Sequence, residues 1–209
     1  GLLTAGVTGV TDLEWSDFDL VALMTSSPQY LVAAAEATFD TFEEFLAYQE
    51  EGGEPLTMGV TLGGVPHLHA AMIADAFGVD YNFVGYEGTG ERVRALVGGN
   101  LDLAIADLAS VEQFVESGDA KLLALGTLER LDQTPDVPTF AEFGAPLELT
   151  TSRGIVMPKG SPQEAKDRLE AALMELSQDP AFVEQINNAG SSVAFRGQDD
   201  YVTYLGNLS

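Results

Sequence analysis

LTMGVTLGGVPHLHAAMIADAFG (Leu56–Gly78) and YNFVGYEGTGERVRALVGGNLDLAIAD (Tyr81–Asp107) decide the fold. Each opens on a short apolar run of strand length, breaks at glycines, and continues into a run with helical periodicity. Gly63, Gly64, Gly88 and Gly90 let the backbone approach a ligand closely. The helices that follow point unpaired N–H groups and a positive dipole end at the same place. A site built this way suits an anion such as a carboxylate.

Outward from these turns, strands are expected at Phe18–Thr25, Tyr30–Ala35, Leu56–Val60, Tyr81–Val84, Leu101–Ala106, Lys121–Thr127 and Gly154–Met157. Phe18–Thr25 is apolar throughout, as in a strand buried on both faces. Helices are expected over Thr41–Tyr48, where Thr41 and Glu44 have capping-box spacing, and over His67–Phe77, Glu91–Val97 and Val111–Glu116. After Gly154–Met157, Ser161 caps a helix with Pro162 at its first position, Glu164 closing the box and Leu169, Leu173 and Leu176 as the buried stripe. Another helix starts at Asp179–Pro180 and stops at Gly190. Thr127–Thr151 reads as a long connection. This alternation predicts an α/β fold with a mainly parallel sheet covered on both faces and ligands at the strands' C-terminal ends.

Composition narrows the partners. The 209 residues carry 33 Asp+Glu against 9 Lys+Arg, a formal net charge of −24. No basic patch exists to release counterions, which argues against nucleic acid and anionic lipid. Only Lys121, Lys159 and Lys166 are lysines, and acids are interspersed with apolar residues, a composition resembling that of proteins from salt-loving organisms. The absence of cysteine excludes disulfides, thiolate catalysis and cysteine metal sites. Neither a signal peptide nor an apolar run of membrane length is present. The start at GLLTAGVTGV and the stop within helix-like QDDYVTYLGNLS read as missing ends.

Among candidate site residues, Gly63 and Gly64 form the first turn and Gly88, Thr89 and Gly90 the second. Thr61 either donates a hydroxyl to the ligand or satisfies its own turn. His67 suits packing at a helix start more than ligand contact. His69 reads as a surface residue, and two histidines two apart on a helix cannot chelate one metal. Tyr86 is a packed aromatic whose hydroxyl is able to reach a cleft. Asp107, ending its strand, either receives a ligand hydroxyl or ammonium or braces its loop by holding backbone amides; Asp102 reads as structural. Arg153 offers a bidentate bond to a carboxylate or a structural salt bridge. No nucleophile elbow, Walker loop or histidine-rich metal pattern supports an enzyme.

Five segments in this order resemble the substrate-binding receptors of tripartite tricarboxylate transporters, the Bug-type receptors: VTDLEWSDFDLVALM, GVTLGGVPHL, VGYEGTGERVRALVGGNLDLAIADL, TPDVPTFAEFG and TSRGIVMPKGSP. The match runs from about Gly9 onward. Gly85, Val60 and Ser152 depart from that family's usual proline, serine and aromatic. The resemblance implies a two-lobe, hinge-closing fold of the type II periplasmic-binding-protein kind, with no counterpart here of the first lobe's N-terminal part. Residues 1–28 and 144–209 would belong to lobe one and 29–143 to lobe two. It also implies an extracytoplasmic receptor that hands a small carboxylate to a membrane permease, without catalysis or cofactor. Sensor domains of transcription regulators share the two-lobe fold and supply the alternative.

Overall fold

The computed structural model describes residues 12–189 and 191–207, so the expected helix stop at Gly190 lies outside the described residues. The chain divides into two units. One takes in the chain up to Ser27 and from Thr151 onward, and the other is Pro28–Thr150.

The Pro28–Thr150 unit is built on a five-stranded sheet of order β4-β3-β5-β2-β6. Its strands are β2 (Tyr30–Ala34), β3 (Leu56–Val60), β4 (Tyr81–Gly85), β5 (Leu103–Ala106) and β6 (Ala120–Leu125). β3 is parallel to β4 and β5, while β2 is antiparallel to both β5 and β6. Hence four strands share one direction and β2 alone opposes them. The sheet is therefore mixed: the expected parallel pairing is found on both sides of β3, and both pairings of β2 depart from it because periodicity could not orient that strand.

Both faces are covered. Leu31 and Ala33 of β2 face a cluster with Phe42, Phe45, Ala70, Ile73 and Phe140, whereas Tyr30, Val32 and Ala34 face Val93, Leu96 and Val111. This period-2 split explains why every β2 residue is apolar and buried. The first face is packed by α1 (Phe42–Glu50) and α2 (Val65–Phe77), the second by α3 (Thr89–Val97) and α4 (Leu108–Ser117). Phe42 centres the first cluster, with ring centroids 5.0 Å from Phe77, 5.3 Å from Phe140 and 4.8 Å from Phe143. Thr41 caps α1 by accepting from the Glu44 N–H, but the Glu44 carboxylate reaches back to the Asp40 N–H, one residue before the expected box partner. The unit runs to Thr150 because Leu149 is buried in the first cluster and pairs its backbone with Gly126 and Gln29.

The other unit holds a three-stranded sheet of order β7-β1-β8, from β1 (Phe18–Pro28), β7 (Thr150–Pro158) and β8 (Ser192–Arg196). Leu20–Thr25 of β1 is buried without interruption, as its apolar run requires. Its helices are α5 (Gln163–Ser177), α6 (Pro180–Asn188) and α7 (Gln198–Asn207). Asp179 caps α6 by accepting from the Ala181 N–H. Two expectations fail here. Ser161 does not cap α5: its hydroxyl donates to the Pro158 carbonyl and its N–H to Asp19, so the turn consumes it and Pro162 takes the cap position without a side-chain bond. No residue of α5 is buried; Leu169 and Leu173 are half-covered and Leu176 is 39% exposed.

Candidate functional site

The parallel ladders bring the carboxyl ends of β3, β4 and β5 side by side, with Val60 opposite Gly85 and Gly59 opposite Ala104. The turns leaving these ends therefore share one edge, and α2, α3 and α4 all begin there. Because the chain moves from β3 outward to β4 and then back across to β5, the β3–β5 seam is a topological switch point, where open α/β sheets place their ligands.

The caps at this edge differ. Asp107 caps α4, its Oδ1 accepting from the Ser110 N–H at 3.1 Å and the Ser110 hydroxyl at 2.7 Å. Gly64 and Gly88 cap α2 and α3 with no side chain. At α2 the Gly63 N–H is taken by His67 Nδ1 at 3.2 Å and the Gly64 N–H by the Thr61 carbonyl at 2.8 Å. Pro66 has no N–H, so helix geometry leaves Val65 and His67 as the outward amides of that first turn. At α3 the first internal bond runs from Arg92 to the Gly88 carbonyl, leaving the Thr89, Gly90 and Glu91 amides.

Sequence reasoning passed over Arg92, and it lies beneath all of this. It is 1% exposed although it is a cation on a nine-residue helix. Its Nε and Nη2 donate to the Ile105 carbonyl at 3.1 and 2.9 Å. Nη1 donates to the Thr61 hydroxyl and Nη2 to the Thr89 hydroxyl, each at 3.3 Å. One guanidinium thus joins the end of β5 to Thr61, which opens the first glycine turn, and to Thr89 within the second. Gly59 makes room for its stem, since a Cβ there would stand 2.7 Å from Arg92 Cγ. Burial pulls the guanidinium below its ordinary value, while the Asp107 carboxylate acts the other way. A guanidinium stays charged through such a shift. The sequence did carry a signal: Arg92 shares a helical face with the buried Leu96, beside buried Val93.

The site residues expected in this unit are thus brought to one edge. Thr61 and Thr89 hold Arg92, and Gly63, at φ 71°, makes the left-handed turn that glycine allows. His67 braces that turn and sets its ring edge-on to Phe83 at 4.7 Å. Tyr86 donates its N–H to the Val60 carbonyl and packs half-buried on the second cluster. Nothing stands within 4 Å of a Cβ at Gly88, and Gly90 would meet only Arg94 Nη1 at 3.4 Å. Arg153 belongs to the other unit, on β7, exposed and bonded to the hydroxyls of Ser27 at 2.9 Å and Ser191 at 3.5 Å. Asp102 is structural, its Oδ2 accepting from the Thr57 N–H and hydroxyl. His69 corrects a sequence expectation: it is 6% exposed, and burial lowers its imidazole to about 4. The ring lies on the side of α2 that carries buried Ala70 and Ile73.

Two α/β units, one with glycine-capped helices gathered at a sheet's carboxyl edge, match the two-lobe fold of periplasmic solute-binding proteins. A TctC solute-binding protein from Polaromonas has a TM-score of 0.80 and 26% identity, covering 99% of this chain and 71% of that one. MatC from Rhodopseudomonas palustris, solved with bound malate, has a TM-score of 0.81 and 26% identity over 98% of this chain and 71% of its own. The family model described as "Tripartite tricarboxylate transporter family receptor" matches residues 8–207, and the chain belongs to that family. It is similar to BugT of Bordetella pertussis, 28% identical over 174 residues, which are 82% of this chain and 53% of that protein. A UPF0065 protein from the tcbD-tcbE intergenic region of Pseudomonas sp. strain P51 is 32% identical over 181 residues, 85% of this chain and 54% of that one. The chain spans about half the length of the curated relatives it matches.

Proposed function

We propose that this chain is the ligand-binding part of an extracytoplasmic receptor that captures a small di- or tricarboxylate for a tripartite tricarboxylate-type membrane transporter, without chemical turnover. The observation that carries the reading is the β3–β4–β5 edge, where two helices start on bare glycine caps above a buried arginine. Outward amides and positive helix ends favour a carboxylate there. MatC, with its bound malate, supplies the probe.

Thr61, Gly63, Gly64, His67, Tyr86, Gly88, Thr89, Gly90 and Asp107 would form or brace this cradle. In this assignment the Gly63 N–H and the His67 ring act on the turn and not on the ligand, because they bond each other. The Val65, His67, Thr89 and Gly90 amides are the direct donors. The Asp107 carboxylate would repel a ligand carboxylate and suits a ligand hydroxyl better. Arg153, on the other unit, is by itself an exposed guanidinium able to bind a carboxylate.

The test is calorimetric titration of the full chain with malate, followed by mass analysis of the recovered ligand. Saturable binding with malate returned unchanged is the expected result. Conversion of the ligand would replace the receptor with an enzyme, and no heat from malate, citrate or glutamate would remove the carboxylate assignment.

A further inference from the structure

Resting on the carboxylate-receptor reading, we propose that Arg92 is a positioning residue that turns the Thr61 and Thr89 hydroxyls into donors and makes the cradle select an ionised carboxylate over its uncharged isosteres.

The argument starts from what Arg92 lacks. Its four hydrogen bonds go to oxygens with no net charge: the Ile105 carbonyl twice, and the two threonine hydroxyls. Asp107 acts on it only from beyond contact, its Oδ1 being engaged by Ser110. A side chain this buried with no carboxylate in contact is costly to hold. Leaving the charge open at the switch point makes sense if an anion supplies the missing partner.

The hydroxyls transmit that charge. A threonine oxygen that accepts from a guanidinium N–H has its own proton turned elsewhere, so the hydroxyl becomes a donor. Thr61 opens the first glycine turn and Thr89 is the first residue of α3, so both donors sit beside the outward amides of the two helices. Polarisation along such a chain strengthens each bond. At the starts of α2 and α3 a carboxylate would thus meet donors, with a fixed cation behind them, while the Asp107 carboxylate at α4 is held by Ser110. A primary amide of the same shape would bring an NH2 group that finds no acceptor among these donors.

Gly59 and the β3–β5 ladder show that the placement is built. The ladder is recorded at Met58–Leu103 and Gly59–Ala104, and at the next β5 residue the carbonyl accepts from Arg92. The stem crosses β3 where the missing side chain of Gly59 leaves space.

The experiment compares affinities of the full chain for malate and for its uncharged diamide, malamide. In Arg92→Met the malate affinity should drop about 10- to 100-fold, the span of one charged hydrogen-bond contribution, while malamide changes little. Arg92→Lys should restore part of the malate preference, since it keeps the charge but not the forked geometry. Combined with Thr61→Val, the Arg92→Met loss should be less than the product of the single losses. Thr61→Val and Thr89→Val keep side-chain shape, so they test the same preference if Arg92→Met folds poorly. A purely structural role would lower both ligands together, and an unchanged malate-to-malamide ratio in Arg92→Met, or in the threonine pair, would overturn the proposal. Hydrogen exchange without ligand forms a separate arm. The amides of residues 61–64 and 88–91 should exchange faster in Arg92→Met, and unchanged exchange also overturns the positioning role. A wild-type chain that ignores malate yet shows the exchange effect would refute the receptor reading while sustaining the positioning of both turns.

Discussion

Acid should destabilise this protein through one residue more than through any other neutral group. His69 lies on the core side of α2 with its Nδ1 lacking a hydrogen-bond partner, and burial lowers its imidazole from 6.5 to about 4. The folded state therefore resists a proton that the unfolded chain accepts. With the folded value depressed, the stability contributed by neutral His69 is complete above the unfolded value. It is lost as pH falls from about 6.5 toward 4, and levels off below. Linkage puts the loss at about 2 kcal/mol at pH 5 and about 3 kcal/mol at pH 4 relative to pH 7. Carboxylates also titrate in this window, and in a chain of charge −24 their protonation relieves repulsion and opposes the trend. The clean quantity is thus the difference between wild type and His69→Leu in urea unfolding at fixed ionic strength from pH 7 to 4. The variant should gain on wild type as pH falls, with the gap widening by those amounts. Parallel curves, or a His69 ring proton titrating near 6.5 by NMR, would refute the reasoning.

Other outcomes follow from the same geometry. Gly59→Ala sets a methyl 2.5 Å from Leu101 Cδ1 and 2.7 Å from Arg92 Cγ, and should cost about 1–3 kcal/mol in denaturant unfolding. A cost below about 0.5 kcal/mol would mean the Arg92 stem moves aside freely. Gly63→Ala should cost about 1–2 kcal/mol because its φ is 71°. Gly88→Ala, at φ −148° with open space around its Cβ, should stay within about 0.5 kcal/mol. Equal losses at Gly63 and Gly88 would contradict these turn assignments. The melting temperature should climb between 0.1 and 1 M NaCl as the Debye length shrinks from about 10 to 3 Å. A flat or falling series would end the salt-adapted reading.

What was legible in the sequence was local. The strand runs, the glycine turns and the helix starts at Thr41 and Asp179 depend on neighbours a few residues apart, whereas the helix after Asp107 begins at Leu108, three residues before the expected start. Orientation was not legible: nothing in YLVAA states that β2 opposes its neighbours, because a strand apolar on both faces carries no directional mark. Ser161 misled because a cap and a turn compete for one hydroxyl, and Asp19, far off in sequence, helped decide the outcome. His69 misled because a polar residue on a largely apolar helix was given to solvent, while it lies on the side that carries buried Ala70 and Ile73. Arg92 escaped for a related reason. Its partners Thr61, Thr89 and Ile105 come from three segments that only the β3–β5 pairing brings together.

Under the proposed carboxylate-receptor reading, two scales of charge in this molecule work against each other, and salt separates them. Across the surface an excess of acids repels an approaching anion over a distance set by the ionic atmosphere. At the β3–β5 seam Arg92 is withdrawn from solvent, so the same atmosphere screens it far less. Raising the salt therefore removes most of the barrier and little of the attraction. On this account the acidic surface costs the site speed only in dilute buffer, and salt should raise the association rate of malate in Arg92→Met as much as in wild type. Residence time should instead follow Arg92, because the dissociating ligand leaves the buried cation before it feels the surface. Chloride competing for the helix ends would show as a loss of apparent affinity at the highest salt with no change in the intrinsic dissociation rate.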